Sequence, residues 1–179
     1  NYDLLYTTCG KTSSFPSEIC TFCLNFSDFI MQISEAVFAE KRHIMIYGIG
    51  CDLCDTARMA KSLGGPHGST FAARVFGPAE REALGLSEKA PSPLSAHKAA
   101  SAAADFAAKE AFLKAAGTGL AGPFALCEIE AVRLESGAPE YRFSGGSARW
   151  MDERHLRAKL SLSHDGGMAL AFCILETET

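Results

Sequence analysis

No stretch of this 179-residue chain reaches the ~18–20 consecutive apolar residues that a membrane-spanning helix needs, and its start has no charged segment leading into an apolar one. No helical span is read in it, and the sequence is expected to be soluble, unexported and cytoplasmic. Basic charge is also scarce: 17 Lys and Arg against 21 Asp and Glu give a formal net charge of −4. There is no overall positive field for a nucleic-acid backbone, so any anionic ligand must be met by local cations. Cysteine is too sparse for a disulfide scaffold and odd in number, seven in all. Mostly free thiols in a reducing compartment are the default. Internal repeats and low-complexity tracts are absent, which excludes a solenoid or a tail of that kind.

What is present is a 47% hydrophobic composition, enough for one globular domain with a true core and room for an appendage. Composition changes near residue 44. The first part is rich in Ser, Thr, Phe and Cys, and the part beyond Ala99 is rich in Ala and Gly. In the first part Phe26, Phe29, Ile30, Ile33, Val37 and Phe38 recur at helical spacing behind a possible cap at Ser27, with Lys41 and Arg42 at the far end. The chain begins at Asn1 and Met45 opens a strand-like run. Residues 1–44 therefore read as a leader or appendage of unknown role, native or non-native, and residues 45–179 as the working domain.

From Met45 the pattern alternates. Met45, Tyr47, Ile49, Cys51 and Leu53 fall on one face of a strand, expected toward the core; Ile46, Gly48, Gly50 and Asp52 fall on the other. The two glycines leave room there for a ligand or another backbone. Asp55 or Thr56 can cap a helix to about Leu63, and Pro78 with Glu80 opens another to about Leu84. Residues 85–98 read as a loop, followed by a long Ala-rich helix that stops at Gly117. Then come a strand over 127–134, a turn at Gly137–Glu140, a strand over 141–144 and a helix over 147–158. A final hairpin, 159–164 and 168–175, turns at Asp165-Gly166-Gly167. The sum is an α+β domain in which an antiparallel sheet packs against a long central helix.

Two constellations could carry chemistry. Cys20, Cys23, Cys51 and Cys54 offer four thiolates in two C-x-x-C units, the number a tetrahedral zinc takes. The spacer from Leu24 to Gly50 exceeds the usual ~15–20 residues, and Cys51 lies in a regular strand rather than a tight turn. Cys9, Cys127 and Cys173 read as structural. The second constellation is on the long helix, where Glu110 and Lys114 share a face one turn apart and Lys109 flanks them. A surface ion pair would account for these charges, but the helix around them is largely apolar. Asp52 and Glu110 are the carboxylates best placed to hold a hard cation such as Mg²⁺, with Lys109 and Lys114 left to meet phosphate charge. Ser161–His164, at a strand end, also suits a phosphate monoester.

The stretches "YGIGCDL", "FAAKEAFLKAAGTGL" and "LSLSH", in this order and at these separations, resemble holo-acyl-carrier-protein synthase, the bacterial-type 4′-phosphopantetheinyl transferase. The resemblance runs from about Met45 to Glu176. It implies transfer of the 4′-phosphopantetheine arm of coenzyme A to a serine of apo acyl carrier protein, releasing adenosine 3′,5′-bisphosphate, in a homotrimer with active sites between subunits. By position it implies Asp52 and Glu110 as the Mg²⁺ ligands. Lys109, Lys114, Gly117, Thr118 and Gly119 fall at the coenzyme A phosphates, and Ser163 and His164 near the 3′-phosphate. Arg58, with Arg74, faces the acidic carrier protein, and Glu110 is the candidate base for the serine proton, assisted by Lys114. Three positions depart from the family pattern. Asp105 stands where arginine is frequent, Asp165 follows the histidine where Thr or Ser is common, and Gly77 replaces a threonine cap. Both aspartates bring negative charge toward the expected phosphates, which Arg74 or Lys98 would have to offset. Two other readings follow: a zinc- or thiol-dependent binding module built on the C-x-x-C units, and the same fold with a decayed site.

Overall fold

The structure is a computed structural model that describes residues 44–86, 94–119 and 122–178. The expected helix over Phe26–Phe38 and residues Cys9, Cys20 and Cys23 lie outside these residues. Strand β1 (Ile44–Asp55) is followed by helices α1 (Thr56–Gly64), α2 (Gly68–Val75), α3 (Pro78–Leu84) and the long α4 (Ala96–Ala115). Then come β2 (Ile129–Arg133), β3 (Pro139–Phe143), α5 (Gly145–Glu153), β4 (Leu156–Asp165) and β5 (Met168–Glu178). The strands form two antiparallel sheets where the sequence suggests one, a three-stranded sheet in the order β1-β5-β4 and a two-stranded sheet β2-β3.

Helix α4 is the centre of the core. Ala102, Ala103, Ala107, Ala108, Ala111 and Phe112 are fully buried along it, and small side chains let the helix lie close to the sheet. The sheet answers with glycine. A Cβ at Gly48 or Gly50 would stand 2.0 Å from the carbonyl oxygen of Ala115 or Ala111, respectively. The glycine face of β1 thus meets the helix backbone, and the apolar face points away from it. Ile49 is 53% and Leu53 54% exposed, and beside them on β5 Leu170 is 42% and Phe172 40% exposed. Cys51 is exposed as well. The expectation that Tyr47, Ile49, Cys51 and Leu53 face the core is therefore reversed. Alternation fixes two faces, but the close helix–sheet approach, not hydrophobicity, decides which one goes inside.

The helix boundaries follow local chemistry. Asp55 caps α1 by accepting from the Arg58 N–H at 2.7 Å. Ser95 caps α4 by accepting from the Lys98 N–H at 3.3 Å, so the helix starts within the segment read as a loop. At its far end the Thr118 N–H reaches the Leu113 carbonyl and the Gly117 N–H the Lys114 carbonyl, a Schellman ending that needs the left-handed backbone of Gly117, φ 71°. Helix α3 has no side-chain cap from Gly77. Instead Glu80 accepts from the Gly77 N–H at 2.8 Å, and Glu130 on β2 accepts from the Ala79 N–H at 2.8 Å. The departure at Gly77 is thus compensated from a neighbouring strand. Helix α2 has no counterpart in the sequence reading, because its start, "GPHGS", looks like a turn and His67 donates no cap. The helix expected over 147–158 ends at Glu153; His155 takes a left-handed φ of 50°, and β4 begins at Leu156.

Candidate active site

The site is built where β1 passes the last turns of α4. Asp52 lies on the strand face that carries Gly48 and Gly50, so its carboxylate is directed at the helix they pack against. Lys114 reaches back from the helix: its Nζ donates to Asp52 Oδ1 and to the Cys51 carbonyl, each at 2.8 Å. The Asp52 contact holds the Lys114 ammonium above its ordinary pKa. Glu110, one turn earlier, completes the group. Burial pushes its carboxyl upward, the charge of Asp52 adds to the rise, and Lys114 opposes it. Two carboxylates near enough to repel each other, with one lysine between opposing demands, form a donor set suited to a hard divalent cation.

Lys109 does not join them. Its side chain is 0% exposed, and its Nζ donates to both oxygens of Glu80, at 2.8 and 2.7 Å, and to the carbonyls of Leu126 and Ile129. An ammonium so enclosed has no donor to give a phosphate, so its expected place at coenzyme A is corrected to a place in the core. The residue next to it, Glu110, turns the other way simply because adjacent helical residues diverge by about 100°.

Ser163 and His164, at the end of β4, line a cavity of about 260 Å³ together with His97, Ser101 and Arg133. Neither His97 nor Arg133 was marked by the sequence, since a strand arginine and a first-turn histidine carry no motif. Asp105, buried, lines a second cavity that shares Arg133 with this one, and its Oδ1 accepts from Arg133 Nη2 at 2.9 Å. The negative charge that Asp105 brings is therefore spent on Arg133. Asp165 is exposed at the β4–β5 turn. Gly117, Thr118 and Gly119 follow Lys114 directly, and Gly119 also has a positive φ, 55°. Arg58 on α1 and Arg74 on α2 are both exposed, available to a large partner.

The two described cysteines of the C-x-x-C pair diverge. Cys51 is exposed and Cys54 is buried at 1%, as residues three apart on a strand must be. Among the described residues no group of three or more His, Cys, Asp or Glu could hold a metal ion, so the Cys51–Cys54 half of a zinc site does not form. No helix among the described residues is long and apolar enough to cross a membrane.

With this geometry, comparison with known proteins is decisive. The chain belongs to the 4′-phosphopantetheinyl transferase superfamily, whose family model matches residues 48–173. Within that class it falls among the holo-[acyl-carrier-protein] synthases. It is 40% identical over 133 residues to the holo-[acyl-carrier-protein] synthase of Azoarcus sp. strain BH72, covering 74% of this chain and 99% of the relative. The crystal structure of the Neisseria meningitidis enzyme of that name is 34% identical, with a TM-score of 0.61 and coverage of 74% and 100%. The Bacillus anthracis enzyme, solved in complex with CoA (3′,5′-ADP), is 28% identical, with a TM-score of 0.59 and coverage of 75% and 99%. The α+β fold and the enzyme class expected from the three motifs are thus established: the protein is a phosphopantetheinyl transferase.

Proposed function

We propose that this chain transfers the 4′-phosphopantetheine arm of coenzyme A to a serine of an apo acyl carrier protein, using Asp52 and Glu110 as ligands for Mg²⁺. The observation that carries the reading is the Asp52–Glu110 pair with Lys114 across it, in a member of this transferase family. Asp52 and Glu110 would hold Mg²⁺, which would supply charge neutralisation at the coenzyme A pyrophosphate. Lys114, half-exposed and anchored by Asp52, offers its ammonium to the phosphate oxygens. The serine oxygen bonds to the phosphorus that carries pantetheine, the P–O bond to the nucleotide breaks, and adenosine 3′,5′-bisphosphate departs. Glu110 takes the serine proton.

The Gly117–Gly119 turn presents backbone beside the phosphates, and Ser163 and His164 receive the nucleotide end. Arg58 and Arg74 meet the acidic carrier, an encounter that salt weakens. The exposed apolar face of β1 and β5, with Ile49, Leu53, Leu170 and Phe172, supports a homotrimer in which this face is covered by other copies. We read residues 45–179 as the transferase unit and the enzyme as cytoplasmic, where its substrates are made. Calorimetric titration with Mg²⁺ tests the ligand set. Wild-type protein is expected to bind the ion, and Asp52→Asn and Glu110→Gln each to weaken it at least about tenfold while leaving thermal unfolding intact; unchanged affinity in both variants would reject the assignment.

A further inference from the structure

The aspartate at position 105 poses a charge problem, and the structure assigns its solution to Arg133. His97, Ser101 and Asp105 stand at i, i+4 and i+8 on one stripe of α4. Arg133, at the end of β2, crosses this stripe: it shares one cavity with His97, Ser101 and His164, and a second, larger one of about 540 Å³ with His97, Ser101 and Asp105. The Asp105–Arg133 ion pair is lopsided. The carboxylate end is 7% exposed and the guanidinium end 39%, so the anion is sunk in the core and the cation is turned to the open side. Arg133 Nη1 also donates to the Ala131 carbonyl at 3.3 Å, which leaves part of its five-donor fork for a ligand. The other acid on these walls, Glu80, is claimed by Lys109. Lys98 and Arg142 also line the larger cavity, so its formal lining charge is positive despite two carboxylates.

We propose that Arg133, aimed by Asp105, is the residue through which this chain recognises the 3′-phosphate monoester of coenzyme A, with His164 and His97 around it. This rests on the transferase reading. A guanidinium held on one edge by a carboxylate presents its remaining N–H groups in a fixed fork, which suits a phosphate better than a freely rotating lysine. Asp105 is a positioning residue: it touches no ligand and acts through Arg133. The pairing also accounts for how an acid can occupy a helix position where arginine is frequent in the family, since the cation is supplied from the neighbouring strand.

Calorimetric affinities of the full chain for coenzyme A and for 3′-dephospho-coenzyme A test this in the presence of Mg²⁺. The wild type is expected to prefer coenzyme A, and Arg133→Gln to reduce that preference about tenfold or more by weakening coenzyme A alone. The double variant Asp105→Asn/Arg133→Gln leaves no unpaired buried carboxylate and gives the same reading should the single variant fail to fold. Preference that survives these substitutions, or equal weakening of both ligands, overturns the inference while the transferase reading stands. A wild type that binds neither ligand overturns both.

Discussion

Replacing Lys109 with methionine should cost the fold about 3–5 kcal/mol, the usual penalty for stranding one member of a buried ion pair. Methionine fills nearly the same volume, so little of the loss comes from a cavity. What is lost is the ammonium that bonds both oxygens of Glu80 and two backbone carbonyls in a site with 0% side-chain exposure. Glu80 is left with the N–H groups of Gly77 and Ala131. The sign with pH is defined. Burial already raises the Glu80 carboxyl from 4.5 to about 7 against the opposing charge of Lys109, and without that lysine it rises further. A folded-state value above the unfolded one favours the protonated acid, so stability is present below about pH 4.5 and is lost as pH rises through the folded value. Urea unfolding followed by circular dichroism, at one fixed protein concentration, should show a small deficit for Lys109→Met at pH 5 and the full deficit at pH 8. Adding Glu80→Gln should recover much of it at pH 8. A deficit below about 1 kcal/mol at pH 8, or one equal at both values, would refute the reasoning.

Further outcomes follow from other contacts. Gly50→Ala places a methyl 2.0 Å from the Ala111 carbonyl oxygen and should destabilise the domain by about 1–3 kcal/mol in thermal unfolding; a neutral result would contradict the close helix–sheet approach. For the proposed homotrimer, Phe172→Glu puts a charge on the exposed sheet face and should shift the species measured by sedimentation toward monomer, while an oligomer left unchanged by it would locate the subunit contact elsewhere. Asp52→Asn should lower transfer at least about a hundredfold with the fold intact, because the proposed Mg²⁺ site loses one of its two carboxylates. Arg58→Glu should raise KM for the acidic carrier and flatten its dependence on salt, with KM for coenzyme A unchanged.

Much of the architecture is legible in local patterns. The D-G-G turn of the β4–β5 hairpin, the Asp55 cap and the Ala-rich α4 are each set by residues close in sequence, and they appear as expected except that α4 starts early, at Ala96. The exceptions share one cause, in that the deciding partner is distant. Lys109 looks like a surface charge until Glu80, from another helix, is placed against it. Asp105 looks hostile to phosphate until Arg133 on β2 meets it. The face of β1 that enters the core is decided by two glycines and the backbone of α4, and hydrophobicity alone points the wrong way because the apolar face is left exposed. The Asp52–Lys114 pair brings together residues that both lie inside the quoted motifs; the wall of His97 and Arg133 was not legible, because it is assembled from residues no motif contains.

The most direct test is transfer itself. The full chain, incubated with coenzyme A, Mg²⁺ and an apo acyl carrier protein, should shift the carrier by the mass of one phosphopantetheine arm. The shift should vanish when Mg²⁺ is chelated or when the carrier's acceptor serine is replaced by alanine. A folded chain that binds coenzyme A yet leaves the carrier's mass unchanged would contradict the account.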